Sequence, residues 1–309
     1  MNIALIGRTE IMYDLIDILI KEGHSIAFIS TSKEAPEYLK KASDFQSKAR
    51  QLNIPFLYAP KITTEDNVKF IKALGNIDIA ISVNHTSIIG RSIIDLFPLG
   101  ILNIHGGDLP RYRGNACQAW AILNAETRIG LCVHKMEADS LDSGDIIVRE
   151  YMSIDINTKV THCWEWIKKR APYMFLKAIE LLSVNPKFVL EKQALDPQKI
   201  LRCYPRNPED NRIDWINSSE YILRLINASN KPYSGAFCFF RGRKAIVWDA
   251  ELFDDQENYL AVPGQICSFD ATGIVVICGI GKLKLKEVEV DGVNIVQQPI
   301  LNYIRERFK

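Results

Sequence analysis

Asn2-Ile-Ala-Leu-Ile-Gly-Arg-Thr9, followed by Glu10-Ile-Met-Tyr-Asp-Leu-Ile-Asp-Ile-Leu-Ile-Lys21, opens the chain and decides its architecture. Residues 2–6 form a short apolar run that suits a buried strand. After the Gly7-Arg8-Thr9 turn, Met12, Leu15, Ile16, Ile18 and Leu19 recur at helical spacing. A strand, a tight turn and an amphipathic helix at the start predict a doubly wound α/β sheet. Only Gly7 stands where a dinucleotide fold would carry Gly-x-Gly-x-x-Gly, which argues against a nicotinamide cofactor. The turn still brings Arg8 and free N–H groups together at a helix N-terminus, a seat for a substrate phosphate. A plain surface arginine is the competing reading.

The same alternation continues outward. Strands are expected at 25–30, 54–58, 78–83, 101–104, 131–136 and 146–154. Helical spacing runs over 35–52, 64–74, 116–125 and 160–182. Strands alternating with helices predict a mostly parallel sheet, whose ligand sites lie beyond the carboxyl ends of the strands. Residues 191–211 break into polar, proline-bearing sequence that includes Tyr204-Pro-Arg-Asn-Pro-Glu-Asp210. We read a catalytic domain over 1–190, a linker over 191–211 and a second domain over 212–309. In that last part short apolar runs at 238–240, 245–248, 264–269, 273–278 and 282–290 alternate with turns, the pattern of a small β-barrel.

Composition narrows the function classes. The 309 residues carry 38 basic and 37 acidic side chains, a net charge of +1, with 47% hydrophobic and 24% charged residues. That balance announces neither nucleic acid nor an anionic membrane. No apolar run approaches the roughly 18 residues that span a bilayer. The N-terminus lacks the basic start and small-residue cleavage site of a signal peptide, so a cytoplasmic protein is expected. The seven cysteines are scattered and never spaced Cys-x-x-Cys; with the five histidines they make no zinc pattern, and no metal is expected.

The chemistry concentrates between Gly100 and Asp145. Asn103 and His105 are two apart in an apolar run, so on a strand they face one side. Asp142 lies in the turn Asp142-Ser-Gly144. An amide that donates to a developing oxyanion, an imidazole that holds or moves a proton, and a carboxylate that orients the imidazole make an acyl-transfer site. Taken alone, Asn-x-His has a bland reading as a capped turn beside a half-buried histidine. His85, in the loop Asn84-His-Thr-Ser-Ile-Ile89, reads as a capping or surface residue, with a second catalyst as the alternative.

The string Asn103-Ile-His-Gly-Gly-Asp-Leu-Pro-Arg-Tyr-Arg-Gly114, with Leu141-Asp-Ser-Gly-Asp145 downstream, resembles a known signature. It is the Asn-x-His-x-Ser-Leu-Leu-Pro-x-x-Arg-Gly motif of enzymes that use 10-formyltetrahydrofolate. That family includes glycinamide ribonucleotide transformylase, methionyl-tRNA formyltransferase and the N-formyltransferases of nucleotide-linked amino sugars. Residue by residue, the resemblance implies Asn103, His105 and Asp142 as the catalytic group. It implies N10-formyltetrahydrofolate as formyl donor, its pterin lined by Thr86, Ser87, Ile88 and Ile89 and by Ala138, Asp139, Ser140 and Leu141. It also implies that the C-terminal barrel is of the OB type. The chain departs from the signature at Gly107, where serine is usual, and at Asp108, where leucine is usual.

The resemblance further implies that the acceptor is an amine. Residues 206–309 hold 13 basic and 14 acidic side chains, a poor grip for tRNA phosphates. Transformylases of the glycinamide type resemble only the first domain. A UDP- or dTDP-linked 4-amino-4,6-dideoxy sugar for a surface glycan or flagellar sugar is therefore expected, with methionyl-tRNA as the alternative. Arg8, Arg111, Arg113, Asn115, Arg206 and Tyr233 are the expected acceptor contacts. The partner is then a small nucleotide sugar, with no nucleic acid and no membrane; a homodimer is left open. A non-catalytic binding protein on the same fold, and hydrolysis of the formyl donor, are the readings from other classes.

Overall fold

Along β1 (Asn2–Gly7) the residues from Ile3 onward are buried, and α1 (Glu10–Lys21) packs Met12, Leu15, Ile16 and Leu19 out of solvent. The chain is described here from a computed structural model covering residues 1–138, 140–194, 196–297 and 304–309. Gly7 is required by a close approach: with φ +149, a Cβ there would lie 2.0 Å from the Val83 carbonyl oxygen.

The next elements are β2 (Ser25–Thr31), α2 (Ala42–Gln51), β3 (Phe56–Tyr58), α3 (Glu65–Ala73), β4 (Ile79–Val83) and α4 (Arg91–Ile94). Helix α2 starts later than the expected 35. Pro36 disfavours helical backbone at the residue before it. The start is fixed instead by Asp44, whose Oδ2 accepts the Lys41 N–H at 2.7 Å. Thr64 caps α3 through Oγ1, which accepts the Asn67 N–H at 3.4 Å. Then come β5 (Ile101–His105), β6 (Arg113–Gly114), α5 (Cys117–Leu123), β7 (Arg128–Lys135), β8 (Ile146–Ser153) and α6 (Val160–Val184).

The main sheet runs in the order β3-β2-β1-β4-β5-β7-β8. The pairs β2–β3, β1–β2, β1–β4 and β4–β5 are parallel, and β5–β7 is antiparallel. The chain thus forms the expected mostly parallel, doubly wound sheet. One core of this sheet gathers Ile6, Phe28, Ile71, Ala80, Ile93 and Phe97. Burying each of the isoleucine and phenylalanine side chains contributes roughly 1.5–3 kcal/mol.

The remaining elements are β9 (Arg202–Cys203), α7 (Ser219–Ala228), β10 (Ala236–Phe240), β11 (Arg243–Phe253), β12 (Ile266–Asp270), β13 (Gly273–Ile277), β14 (Lys282–Val290) and β15 (Val293–Asn294). Strands β10-β11-β14-β13-β12 form an antiparallel sheet, with β15 on β14. The C-terminal residues bridge its two edges. Phe308 pairs with Phe240 of β10, and Arg307 pairs with Gln265 just before β12. Its interior holds Trp215, Ile222, Leu283, Val288 and Phe308.

By contacts the chain divides into two units. One is Met1–Gly114, Gly130–Tyr151 and Glu165–Cys203; the other is Asn115–Ile129, Met152–Trp164 and Tyr204–Lys309. The linear division at 190 and 212 therefore follows chain order rather than contact units. Among the described residues no helix is long and apolar enough to cross a membrane.

Candidate active site

Strand β5 carries Asn103 and His105 on one face. Its antiparallel register with β7 sets His134 directly opposite Asn103, and Cys132 opposite His105. Because β7 runs against β5, Asp142 reaches the site from the turn after β7 and not from the end of a parallel strand. The Asp142 backbone is left-handed, with φ 52. Gly144 presses the same turn onto β7, since a Cβ there would meet the Lys135 carbonyl oxygen at 1.9 Å.

Four polar side chains converge. Asp142 Oδ2 lies 3.5 Å from His105 Nδ1, and Oδ1 lies 3.6 Å from His134 Nε2. Oδ2 also accepts the Gly114 N–H at 2.9 Å. Asn103 Nδ2 is 3.1 Å from His134 Nε2, and the two imidazoles stand edge to face with centroids 6.3 Å apart. His134 Nδ1 lies 2.8 Å from the Lys135 carbonyl oxygen. A carbonyl only accepts, so Nδ1 carries a hydrogen; Nε2 accepts from Asn103 in the neutral ring and donates toward Asp142 Oδ1 when the ring is protonated. His105 Nε2 donates in the same way to the Tyr112 carbonyl at 2.6 Å, which turns Nδ1 toward the carboxylate.

Burial alone pushes the Asp142 carboxyl upward. The facing imidazoles of His105 and His134 and the Gly114 N–H outweigh it and hold the group well below the usual carboxylate range. Asp142 is thus kept ionised beside two imidazoles. Cys132 donates to the Gly107 carbonyl at 3.4 Å, and burial pushes its thiol up to about 11. It stays a thiol and is no nucleophile.

The other expected residues fall into distinct settings. Arg113 is only 8% exposed, and its Nε and Nη2 donate to Gln193 Oε1 at 3.2 and 2.7 Å. Its charge was expected to face a substrate diphosphate; the structure instead places it inside, because the Asp142 turn and Gln193 fold around it. Arg111 is exposed, with its guanidinium 5.3 Å from the Tyr112 ring. Arg8 donates to the Asn84 and Lys33 carbonyls at 2.8 and 2.9 Å and lies over the Tyr38 ring, lacing the turns after β1, β2 and β4. Asn115, Arg206 and Tyr233 belong to the second unit. There Arg206 packs over Trp120 and donates to Asn211 Oδ1 at 2.8 Å, while the Tyr233 hydroxyl accepts from Trp164 Nε1 at 3.1 Å.

In the loop after β4, Thr86 Oγ1 donates to the Pro60 carbonyl at 2.9 Å. Ser87 N–H donates to His85 Nδ1 at 3.3 Å, so His85 serves the loop as expected of a capping residue. Ile88 is 72% exposed, whereas Ile89 is 1% exposed and its side chain packs in the sheet core. In the loop after β7, Ser140 and Leu141 are exposed and Ala138 is half-buried; Asp139 lies outside the described residues. No group of three or more metal-ligating side chains is arranged to hold a metal among the described residues.

Two residues escaped the sequence reading. His134 is a histidine inside an apolar strand eight residues before Asp142, a signal that was legible. Gln193 lies in a segment that reads as linker and gave none.

This geometry can be set beside known proteins. The sequence pattern of formyl transferases matches residues 1–179, and that of the formyl transferase C-terminal domain matches residues 206–302. A methionyl-tRNA formyltransferase of Acetivibrio thermocellus is 28% identical over 294 residues, covering 94% of this chain and 92% of its own. WlaRD, a sugar 3N-formyl transferase solved in the presence of dTDP and 5-N-formyl-THF, aligns with TM-score 0.67 at 20% identity, covering 93% of this chain and 97% of its own. HypX from Aquifex aeolicus, solved with tetrahydrofolic acid, aligns with TM-score 0.64 at 15% identity over 94% of this chain, which spans only 44% of HypX. At such identities the structural likeness speaks for the fold. The first pattern alone takes in more than half of the residues, and the chain belongs to the formyl transferase family.

Proposed function

We propose that the chain transfers a formyl group from N10-formyltetrahydrofolate to the primary amine of a nucleotide-linked amino sugar. The observation that carries the chemistry is the convergence of Asn103, His105 and Asp142. The donor supplies the activated formyl group; the chain's own residues do the rest. Asn103 donates to the negative charge that grows on the formyl oxygen. His105, held with N–H groups toward Tyr112 and Asp142, adds positive charge there. Removing one such donor costs about 10²–10³ in rate. Asp142 holds His105 and takes the proton of the attacking amine, directly or through water, and that proton passes on to N10 as the formyl C–N10 bond breaks and tetrahydrofolate leaves. Its low titration range makes the holding role the larger one.

The exposed side chains of Ile88 and Leu141, on the loops after β4 and β7, fit the flat face of a pterin. Thr86, Ser87, Ala138 and Ser140 would read its edge through main-chain groups. Arg8 and Arg111 are the cations of the first unit we assign to the nucleotide phosphates.

A second reading, formylation of methionyl-tRNA, is favoured by the 28% match over 94% of the chain. Against it stands the net acidic balance of 13 basic and 14 acidic side chains over residues 206–309. The deciding experiment pairs purified protein and 10-formyltetrahydrofolate with a panel of UDP- and dTDP-amino sugars in one tube and methionyl-tRNA in another. Mass spectrometry reads the gain of one formyl group. Formylation of a sugar, lost in His105→Ala, supports the proposal. Formylated tRNA overturns the choice of acceptor. No product from either, with donor turnover unchanged in Asn103→Ala and Asp142→Ala, overturns the catalytic reading.

A further inference from the structure

We propose that Gln193 and Arg113 form a brace that positions the Asp142 carboxylate. The inference rests on the reading of Asp142 as a catalytic group. Gln193 is 7% exposed, and both ends of its amide are used. Its Nε2 donates to the Asp142 carbonyl at 2.9 Å and to the Gly144 carbonyl at 2.7 Å. Its Oε1 accepts Nε and Nη2 of Arg113. The residue after Arg113 is Gly114, whose N–H donates to Asp142 Oδ2.

These contacts close a ring. It runs from the Asp142 carbonyl through Gln193 and Arg113 to the Gly114 N–H, and back to the Asp142 side chain. Main chain and carboxylate of one residue are therefore held within one ring of contacts. The ring is anchored at β6, where the Arg113 N–H donates to the Leu201 carbonyl at 2.9 Å. Gly114 (φ +104) lies against β9 too closely for a side chain: a Cβ would meet the Cys203 carbonyl oxygen at 2.2 Å.

Position matters because the contacts it sets are long. The carboxylate stands 3.5 Å from His105 and 3.6 Å from His134, so a small shift trades one imidazole for the other. Only an amide side chain offers two donors and an acceptor with two lone pairs. A carboxylate at 193 would keep Arg113 but set oxygen against two carbonyls. A thioether would serve neither.

The brace makes Gln193 and Arg113 positioning residues, and two readouts test it. The first is the kcat and KM of formyl transfer to the acceptor that the paired assay identifies. The second, which needs no acceptor, is the ¹⁵N signals of His105 and His134 in labelled protein. Gln193→Glu and Gln193→Met are each expected to lower kcat about 10- to 100-fold with little change in donor KM. Both should move the two histidine signals in the direction seen in Asp142→Asn. Arg113→Lys, which keeps a donor toward Gln193, should lose less than Arg113→Met. If Gln193→Met fails to fold, Gln193→Glu, which keeps a partner for Arg113, carries the test. Unchanged kcat and histidine signals in a folded Gln193 variant, while Asp142→Asn loses activity, overturn the brace. If Asp142→Asn itself leaves transfer intact, the catalytic reading of Asp142 fails, and the histidine signals still decide whether the brace exists.

Discussion

Asn103 Nδ2 and His134 Nε2 stand 3.1 Å apart across the β5–β7 pair, at positions directly opposite in the register. With its Nδ1 hydrogen given to the Lys135 carbonyl, His134 accepts from the amide and fixes which way Asn103 points. An amide that must donate to an oxyanion gains from a partner that settles its orientation.

His134→Phe therefore is expected to lower kcat about tenfold or more, less than Asn103→Ala does, with donor KM nearly unchanged. The mechanism is misorientation of the Asn103 donor, not loss of a proton carrier. Steady-state kinetics on the two variants check it. An Asn103→Ala/His134→Phe double variant no slower than Asn103→Ala alone would confirm that His134 acts through Asn103.

Asp142 links the site to acid stability. Its folded titration range lies below the ordinary value because the facing imidazoles and the Gly114 N–H outweigh burial. A depressed carboxylate contributes stability that is present above the unfolded pKa, about 4, and is lost as pH falls through the folded one. The stability gap between the native chain and Asp142→Asn should be present at about pH 5 by this argument. It should shrink below about pH 4. Urea unfolding across that range measures it, and a gap that widens in acid would reverse the sign.

Gly107→Ser restores the residue usual in the family signature, yet a Cβ there would lie 2.4 Å from the Tyr112 carbonyl oxygen and 2.6 Å from His105 Nε2. Neither neighbour can yield without breaking the bond that orients His105. A stability loss of about 1–3 kcal/mol is expected from the overpacking, together with a drop in kcat. Thermal melts and kinetics on the same sample read both.

Much of the fold was open to sequence reading, because periodicity reports which face of an element is buried. The spacing of Asn103 and His105 gave their common face, and the Ile3–Ile6 run with its glycine turn gave the doubly wound start. What periodicity does not report is register. That His134 lies opposite Asn103 depends on the pairing of two strands distant in sequence. Gln193 lies in a polar stretch whose meaning comes only from what folds against it. Arg113 shows the reverse case: its residue type suggested a phosphate contact, and its burial turns the charge inward. Arg8 stays where the turn chemistry put it, though two of its N–H groups already serve main-chain carbonyls.

The second sheet owes its closure to the last residues of the chain, which the sequence pattern did not show as a strand. Phe239 and Lys309 exchange both main-chain hydrogen bonds, at 2.7 and 2.8 Å, on the β10 side. On the other side the Ile266 N–H donates to the Glu306 carbonyl at 3.1 Å, and the Phe308 N–H to the Gly264 carbonyl at 2.9 Å. Phe308 itself is buried, 5.1 Å from the Phe240 ring and 5.9 Å from the Trp215 ring between centroids. Phe308→Ala is expected to cost about 3–5 kcal/mol, the range for a buried aromatic removed from a packed core. Deleting residues 306–309 goes further, since it exposes unpaired edges on β10 and at the start of β12, and such edges template association. Hydrogen exchange should then lose protection at Phe239 and Ile266 while that of β13 persists, and light scattering should report association. Unchanged protection at both positions would mean that the sheet closes without its C-terminal residues.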